Sequence, residues 1–193
     1  MTIYLALHGQ TTGDLENRYG GDYDDHLTEE GQQQAKQLAE QLKGKGIEVV
    51  YSSPKFRAQE TATTIADGIG APVVTIQDLR ERNSYGILTG LVKDEALKTH
   101  PDQVELLRDV HNTVDGGEPY NDFLQRIQAA LGEITNGNQE TIAIVTHGGP
   151  ISTVFREILK EGEVAIADCA YATLQSTEGM FELVDMNGIV SKS

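Results

Sequence analysis

Two histidine-glycine pairs, His8-Gly9 and His147-Gly148, each directly follow a short apolar run. The runs are Ile3-Tyr4-Leu5-Ala6-Leu7 and Ile142-Ala143-Ile144-Val145-Thr146. Imidazole can act near neutral pH as a nucleophile, a proton carrier or a hydrogen-bond partner. Near-continuous apolar runs of this length suit strands covered on both faces, as in parallel sheets. Ligands in such sheets gather beyond the carboxyl ends of the strands. The two imidazoles would then face one pocket although they are far apart in sequence. Taken singly, each also reads as a core histidine at a strand end.

The elements that must position them alternate along the chain. A polar, glycine-rich loop follows His8 through about His26. Thr28 then caps a helix whose first turn carries Glu29 and Glu30, where carboxylates suit the helix dipole. Ala35, Leu38, Ala39 and Leu42 recur at helical spacing, and Gly44 and Gly46 end that helix. Ile47 to Tyr51 reads as a second strand, followed by Ser52-Ser53-Pro54 and a helix carrying Phe56, Ala58, Ala62, Ile65 and Ala66. Pro72 to Ile76 is a third strand. Helices are expected near Lys93–His100, near Asp102–Arg108, and from Pro119 with Phe123, Leu124, Ile127, Ala130, Leu131 and Ile134 inward. After the strand Thr141–Thr146, a helix starts near Pro150, and Tyr171–Ser176 with Met180–Asp185 forms an antiparallel hairpin. This alternation predicts an α/β three-layer sandwich with a mostly parallel central sheet flanked by helices. Residues 1–193 read as a single domain with a small insertion around 77–117.

Composition narrows the function classes. The formal net charge is −15, with 38% apolar and 23% charged residues. That charge excludes a nucleic-acid or anionic-membrane partner. It also means that any anionic substrate needs a local cationic pocket. The apolar runs are too short to span a bilayer, and the N-terminus shows no basic leader region, so a cytoplasmic protein is expected. The single Cys169 rules out an internal disulfide framework, and no histidine stands beside it to make it a nucleophile. His26, His100 and His111 lie in polar contexts and read as surface residues.

Several short motifs fall in a set order. They are Leu7-His8-Gly9-Gln10-Thr11, Leu15-Glu16-Asn17-Arg18 and Leu27-Thr28-Glu29-Glu30-Gly31, then Tyr51-Ser52-Ser53-Pro54 with Arg57-Ala58 and Glu60-Thr61-Ala62. Leu79-Arg80-Glu81-Arg82 follows with Tyr85-Gly86 and Gly90, then Gly116-Gly117-Glu118 with Phe123 and Arg126, and last Thr146-His147-Gly148. Together they resemble the histidine phosphatase superfamily, phosphoglycerate-mutase-like branch. The resemblance spans most of the chain. It implies a metal-independent phosphomonoesterase without cofactor, acting on a small phosphorylated metabolite.

In that scheme His8 takes the phosphoryl group as a phosphohistidine, and His147 hydrogen-bonds the phosphoryl oxygens. Arg57 clamps them, while Glu81 protonates the leaving group and then activates water. Gly9, Thr11, Asp14, Arg18, Gly21, Arg82, Tyr85 and Gly148 are implied as substrate contacts. Two positions depart from the family pattern. Leu7 stands where the family has an arginine that binds phosphate, and Asp14 aligns with an asparagine that donates a hydrogen bond to the phosphate. The alternatives are a catalytically weak or inactive pseudophosphatase that binds a ligand or partner, and, further off, a phosphoglycerate mutase.

Other readings of the same residues stay open. Arg57 also reads as a helical partner of Glu60, Glu81 as part of a solvated Arg-Glu-Arg face, and Asp14 as a turn residue. His8, His147, Asp14 and Glu81 are ligand types that suit a divalent ion, although no short metal-ligand spacing appears. Oligomeric state is open between monomer and homodimer.

Overall fold

A computed structural model describes residues 1–192. Its centre is a six-stranded sheet in the order β3-β2-β4-β1-β5-β6. The strands are β1 (Thr2–Leu7), β2 (Val49–Ser52), β3 (Val73–Thr75), β4 (Thr141–Thr146), β5 (Val164–Thr177) and β6 (Met180–Ser191). Strands β3, β2, β4 and β1 run parallel, and β5 and β6 add an antiparallel pair beside β1. The mostly parallel α/β sandwich read from the sequence is therefore the observed architecture.

Alternation along β1 and β4 sorts their side chains between two layers. Ile3, Leu5, Leu7, Ile142 and Ile144 pack with Phe123, Ile127 and Ile134 of helix α6 (Tyr120–Thr135) and Ile151 of helix α7 (Gly148–Thr153). Tyr4, Ala6, Ala143 and Val145 pack on the other face, against Leu38, Ala39 and Leu42 of α2 (Glu29–Leu42) and Ala58, Ala62 and Ile65 of α3 (Phe56–Ile69). Both faces of the central strands are thus dry, which explains their unbroken apolar runs. Small residues on α3 let it lie close to the sheet and carry its first turn to the carboxyl ends of the strands.

The hairpin is much longer than expected. The sequence pattern gave Tyr171–Ser176 and Met180–Asp185, whereas the strands cover Val164–Thr177 and Met180–Ser191. A register break between Ile166 and Tyr171, with Cys169 at φ 54°, interrupts the alternation and hides the first half of β5. The loop after His8 also contains a short helix, α1 (Thr12–Leu15), capped by Thr11. The last helix begins two residues before Pro150, at Gly148, and continues as a π-helical turn over Val154–Leu159.

The segment 77–117 holds two 3₁₀ turns, Gln77–Leu79 and Gly86–Leu88, and helices α4 (Lys93–Thr99) and α5 (Pro101–Leu106). Leu88, Ala96 and Val114 make its own small apolar cluster. No described helix is long and apolar enough to cross a membrane.

Candidate active site

The register of β1 on β4 pairs Leu7 with Thr146, so the next residues, His8 and His147, emerge side by side at the strand ends. Their rings meet edge to face with centroids 5.1 Å apart. By strand alternation both follow the face of Ala6 and Val145, on which α3 begins, and there they meet Arg57 and Ser53.

His8 is half-buried. Its Nδ1 lies 2.8 Å from the Gly9 carbonyl, which can only accept, so Nδ1 carries the proton and Nε2 presents its lone pair. Arg57 Nε–H donates to that Nε2 at 3.1 Å. Burial, with the neighbouring Arg57 charge, lowers the His8 pKa to about 4, so the ring is neutral at pH 7. The ring is thus neutral, with Nδ1–H on a carbonyl and the Nε2 lone pair on the Arg57 N–H at the edge of a cavity.

His147 is fully buried. Its Nε2 lies 2.6 Å from Ser53 Oγ, and its Nδ1 has no partner among the described residues. Burial first, and then Arg57, hold its pKa well below the usual histidine range.

Arg57 is 4% exposed. Its guanidinium donates to the Tyr23 carbonyl at 2.8 Å, Asp25 Oδ1 at 3.0 Å and the Gly21 carbonyl at 3.1 Å. It does not pair with Glu60, whose carboxylate bonds His26 Nδ1 at 2.5 Å and accepts from the Leu27 N–H at 2.8 Å.

Glu81 turns inward from its Arg-Glu-Arg run. Its carboxylate accepts the Arg82 N–H at 2.7 Å and the Gly149 N–H at 3.0 Å. Burial raises its pKa above the ordinary carboxylate range, against the pull of those two donors. Arg126 of α6 holds the segment by donating to the carbonyls of Asp78, Arg80 and Glu81, and Thr146 Oγ donates to the Leu79 carbonyl at 2.6 Å. Gly149 has no room for a side chain, since a Cβ there would lie 2.1 Å from Glu81 Oε1.

A pocket of 280 Å³ brings together His8, Thr11, Asp14, Arg18, Gly21, Arg57, Glu81, Arg82 and Tyr85. His147, in edge contact with the His8 ring, is not among the lining residues. Gly148 lines a larger adjoining groove, which shares Arg82, Tyr85 and Lys93 with the pocket. Gly9 lies beneath, where a Cβ would approach the Gly31 carbonyl to 2.5 Å; its N–H is held by Thr61 Oγ at 3.2 Å.

Three lining residues are already committed. Arg82 donates to the carbonyls of Glu118, Val110 and Asn112, stapling the insertion. Arg18 pairs with Glu16 and donates to the Gly90 carbonyl at 2.7 Å. Asp14 is the third helical residue of a capping box, accepting the Thr11 N–H at 2.9 Å and the Thr11 hydroxyl at 2.8 Å. Burial pushes the Tyr85 phenol up to about 12.

Leu7 faces the opposite layer from His8, 8% exposed among Leu79, Tyr120 and Phe123. Burial also pushes the Cys169 thiol up to about 12, which keeps it protonated. Among the described residues no three His, Cys, Asp or Glu side chains converge on a metal-holding position.

Sequence reasoning gave no role to Asp25, Ser53 or Thr61. Asp25 is one of five acids in the polar loop between His8 and His26 and looks like a solvated residue. In the structure it is 6% exposed, with one oxygen on Arg57 and the other accepting the Gly13 N–H at 3.2 Å. Ser53 and Thr61 lie inside motifs that drew attention to their neighbours.

The histidines at the ends of β1 and β4, a buried arginine and an inward glutamate thus stand together at one end of the sheet. The model of the histidine phosphatase superfamily (branch 1) matches residues 3–188, and the chain belongs to that family. It is 38% identical over 159 residues to the phosphoglycerate mutase-like protein 4 of Arabidopsis thaliana, covering 79% of this chain and 69% of that protein. It is 31% identical over 194 residues to the metal-independent phosphoserine phosphatase of the same plant, covering 97% and 79%. The solved structure of Bacillus stearothermophilus YhfR superposes with a TM-score of 0.89 at 28% identity, covering 98% of each chain.

Proposed function

We propose that the protein is a metal-independent phosphomonoesterase that hydrolyses a small phosphorylated metabolite through a phosphohistidine on His8. The observation that carries this reading is the state of His8: neutral, with Nδ1–H held by the Gly9 carbonyl and Nε2 turned toward Arg57 in the pocket that also holds Glu81. The Nε2 lone pair attacks phosphorus, the P–O bond to the leaving group breaks, and the leaving oxygen takes the proton of Glu81. The Glu81 carboxylate then takes a proton from water, whose oxygen attacks the phosphohistidine and releases inorganic phosphate. A raised Glu81 pKa suits both halves of this cycle. Arg57 supplies the fixed positive charge for the phosphoryl oxygens. A metal-independent phosphoserine phosphatase among the relatives supports the same chemistry.

A second reading, a weak or inactive member that binds without turnover, draws on one observation: the Arg57 charge is already met by buried Asp25. Leu7, in the place of the family arginine, adds no cation. Hydrolysis of p-nitrophenyl phosphate with chelator present separates the two. Chelator-resistant turnover that is lost in His8→Ala establishes the phosphatase. Turnover no greater than that of His8→Ala from pH 4 to pH 8 selects the binding module.

A further inference from the structure

Ser53 follows β2 directly and is held by its N–H to the Val145 carbonyl at 3.0 Å, so its position relative to the end of β4 is fixed by the sheet. Its side chain is fully buried. The hydroxyl oxygen accepts the Lys55 N–H at 3.3 Å and lies 2.6 Å from His147 Nε2. A serine hydroxyl has one proton to give. Among the described residues, His147 Nε2 is the one acceptor within its reach. If the Ser53 hydroxyl donates to Nε2, the proton of a neutral His147 must sit on Nδ1. The opposite tautomer would leave the serine proton without an acceptor and a bare Nδ1 lone pair in a closed site, two buried polar losses in place of one. The Nδ1 that remains is buried and without a partner, on a ring packed edge-on to His8.

We propose that Ser53 is a positioning residue that holds His147 as its Nδ1–H tautomer, so that this ring meets the phosphoryl group on His8 as a neutral hydrogen-bond donor. The use of that donor rests on the phosphatase reading; the tautomer does not. A neutral donor suits this place. An imidazolium beside His8 and Arg57 would raise positive charge on a nucleophile that must keep its lone pair, whereas a lone pair on Nδ1 would repel the phosphoryl oxygens. The missing partner of Nδ1 is then the substrate itself.

The test uses the whole protein labelled with ¹⁵N-histidine and long-range proton–nitrogen correlation spectra. The wild type is expected to show His147 with a protonated Nδ1 and a pyridine-like Nε2. His8, anchored on the Gly9 carbonyl, shows the same tautomer in the same spectrum and serves as the internal standard. Saturation with inorganic phosphate moves the His147 Nδ1 signal. Ser53→Ala shifts His147 toward the Nε2–H form and lowers kcat on p-nitrophenyl phosphate about tenfold, the worth of one hydrogen bond. Ser53→Thr keeps the hydroxyl and restores both. A wild-type His147 protonated on Nε2 overturns the proposal whether or not Ser53→Ala folds, as does an Nδ1 signal indifferent to bound phosphate. A wild type with the expected tautomer and phosphate response but no turnover removes the phosphatase reading and leaves this one standing.

Discussion

The two His-Gly corners are nearly the same in sequence and opposite in which ring nitrogen is anchored. Each follows an apolar strand, each emerges on the same face of the sheet, and each ring is neutral at pH 7. At the β1 corner Nδ1 is anchored by its own neighbour's carbonyl, and Nε2 opens to the pocket. At the β4 corner Nε2 is anchored by Ser53, and Nδ1 is the nitrogen left without a partner among the described residues. Under the proposed mechanism, accessibility and hydrogen-bond partners, rather than residue type, divide a nucleophile from a donor. The partner that decides each case lies elsewhere along the chain or on the backbone, so the motif His-Gly alone cannot assign the roles.

The largest effect that tests this division is the loss of His8. His8→Ala is expected to abolish turnover, a drop of about 10⁴-fold or more, because the proposed mechanism carries the phosphoryl group on His8 Nε2. Wild type mixed with radiolabelled substrate and quenched in alkaline detergent should retain label that is stable in base and lost in acid, and His8→Ala should retain none. Label surviving in His8→Ala would place the covalent step on another residue and undo the comparison.

Glu81 comes next. Its replacement by glutamine keeps the contact with one N–H but removes the proton, and general acid catalysis contributes about 10²–10⁴-fold. The loss should be greater on an alkyl phosphate than on p-nitrophenyl phosphate, whose leaving group needs little protonation. The pH profile follows from the same two groups. As pH rises through about 4, His8 in the free enzyme loses its proton and kcat/KM climbs. As pH rises through the elevated pKa of Glu81, the acid is lost and kcat/KM falls. Glu81→Gln should erase the high-pH limb and keep the low-pH limb. Survival of both limbs would assign the proton to some other group.

Much of this site was legible before any fold was known, and the reasons differ by residue. Buried strands such as β1 and β4 announce themselves because both faces must be apolar, and their boundaries fell where the apolar runs ended. Glu81 and Arg57 stood out within motif segments, yet their bland readings, a solvated charge run and an intrahelical pair, were excluded only by seeing which way each side chain points. Asp25 left no sequence signal, since a buried acid and a surface acid look alike until a buried arginine is found beside it. The hairpin was cut short because the break near Cys169 destroyed the period-two pattern that marks a strand. Arg82 and Arg18 looked like substrate contacts, and in the structure both donate to backbone carbonyls in or just after the insertion, Val110, Asn112 and Glu118 for Arg82 and Gly90 for Arg18.

A smaller effect separates the two corners directly. His147→Ala removes one donor to the phosphoryl oxygens, which costs about 10²-fold in kcat. Phosphoenzyme should still form, more slowly, in contrast to His8→Ala. His147→Gln returns an N–H donor and should recover part of the loss, whereas no amide at position 8 recovers anything. Equal and complete loss in both variants would make the rings a joint nucleophilic unit.

The smallest change expected concerns Leu7. An arginine there would add a charge-assisted donor, an effect of about tenfold in inorganic phosphate affinity if the guanidinium reaches the pocket. The side chain starts on the wrong face for that, among Leu79, Tyr120 and Phe123, so the new charge has to leave an apolar layer to be useful. Leu7→Arg should therefore lower Tm while tightening phosphate binding, and Leu7→Met, which adds no charge and little volume, should change neither. Phosphate binding by isothermal titration together with a thermal melt reads both quantities. A lowered Tm with unchanged phosphate affinity would show that Leu7 serves the layer beneath α6 and that the anionic site is completed from the face of His8 and Arg57 alone.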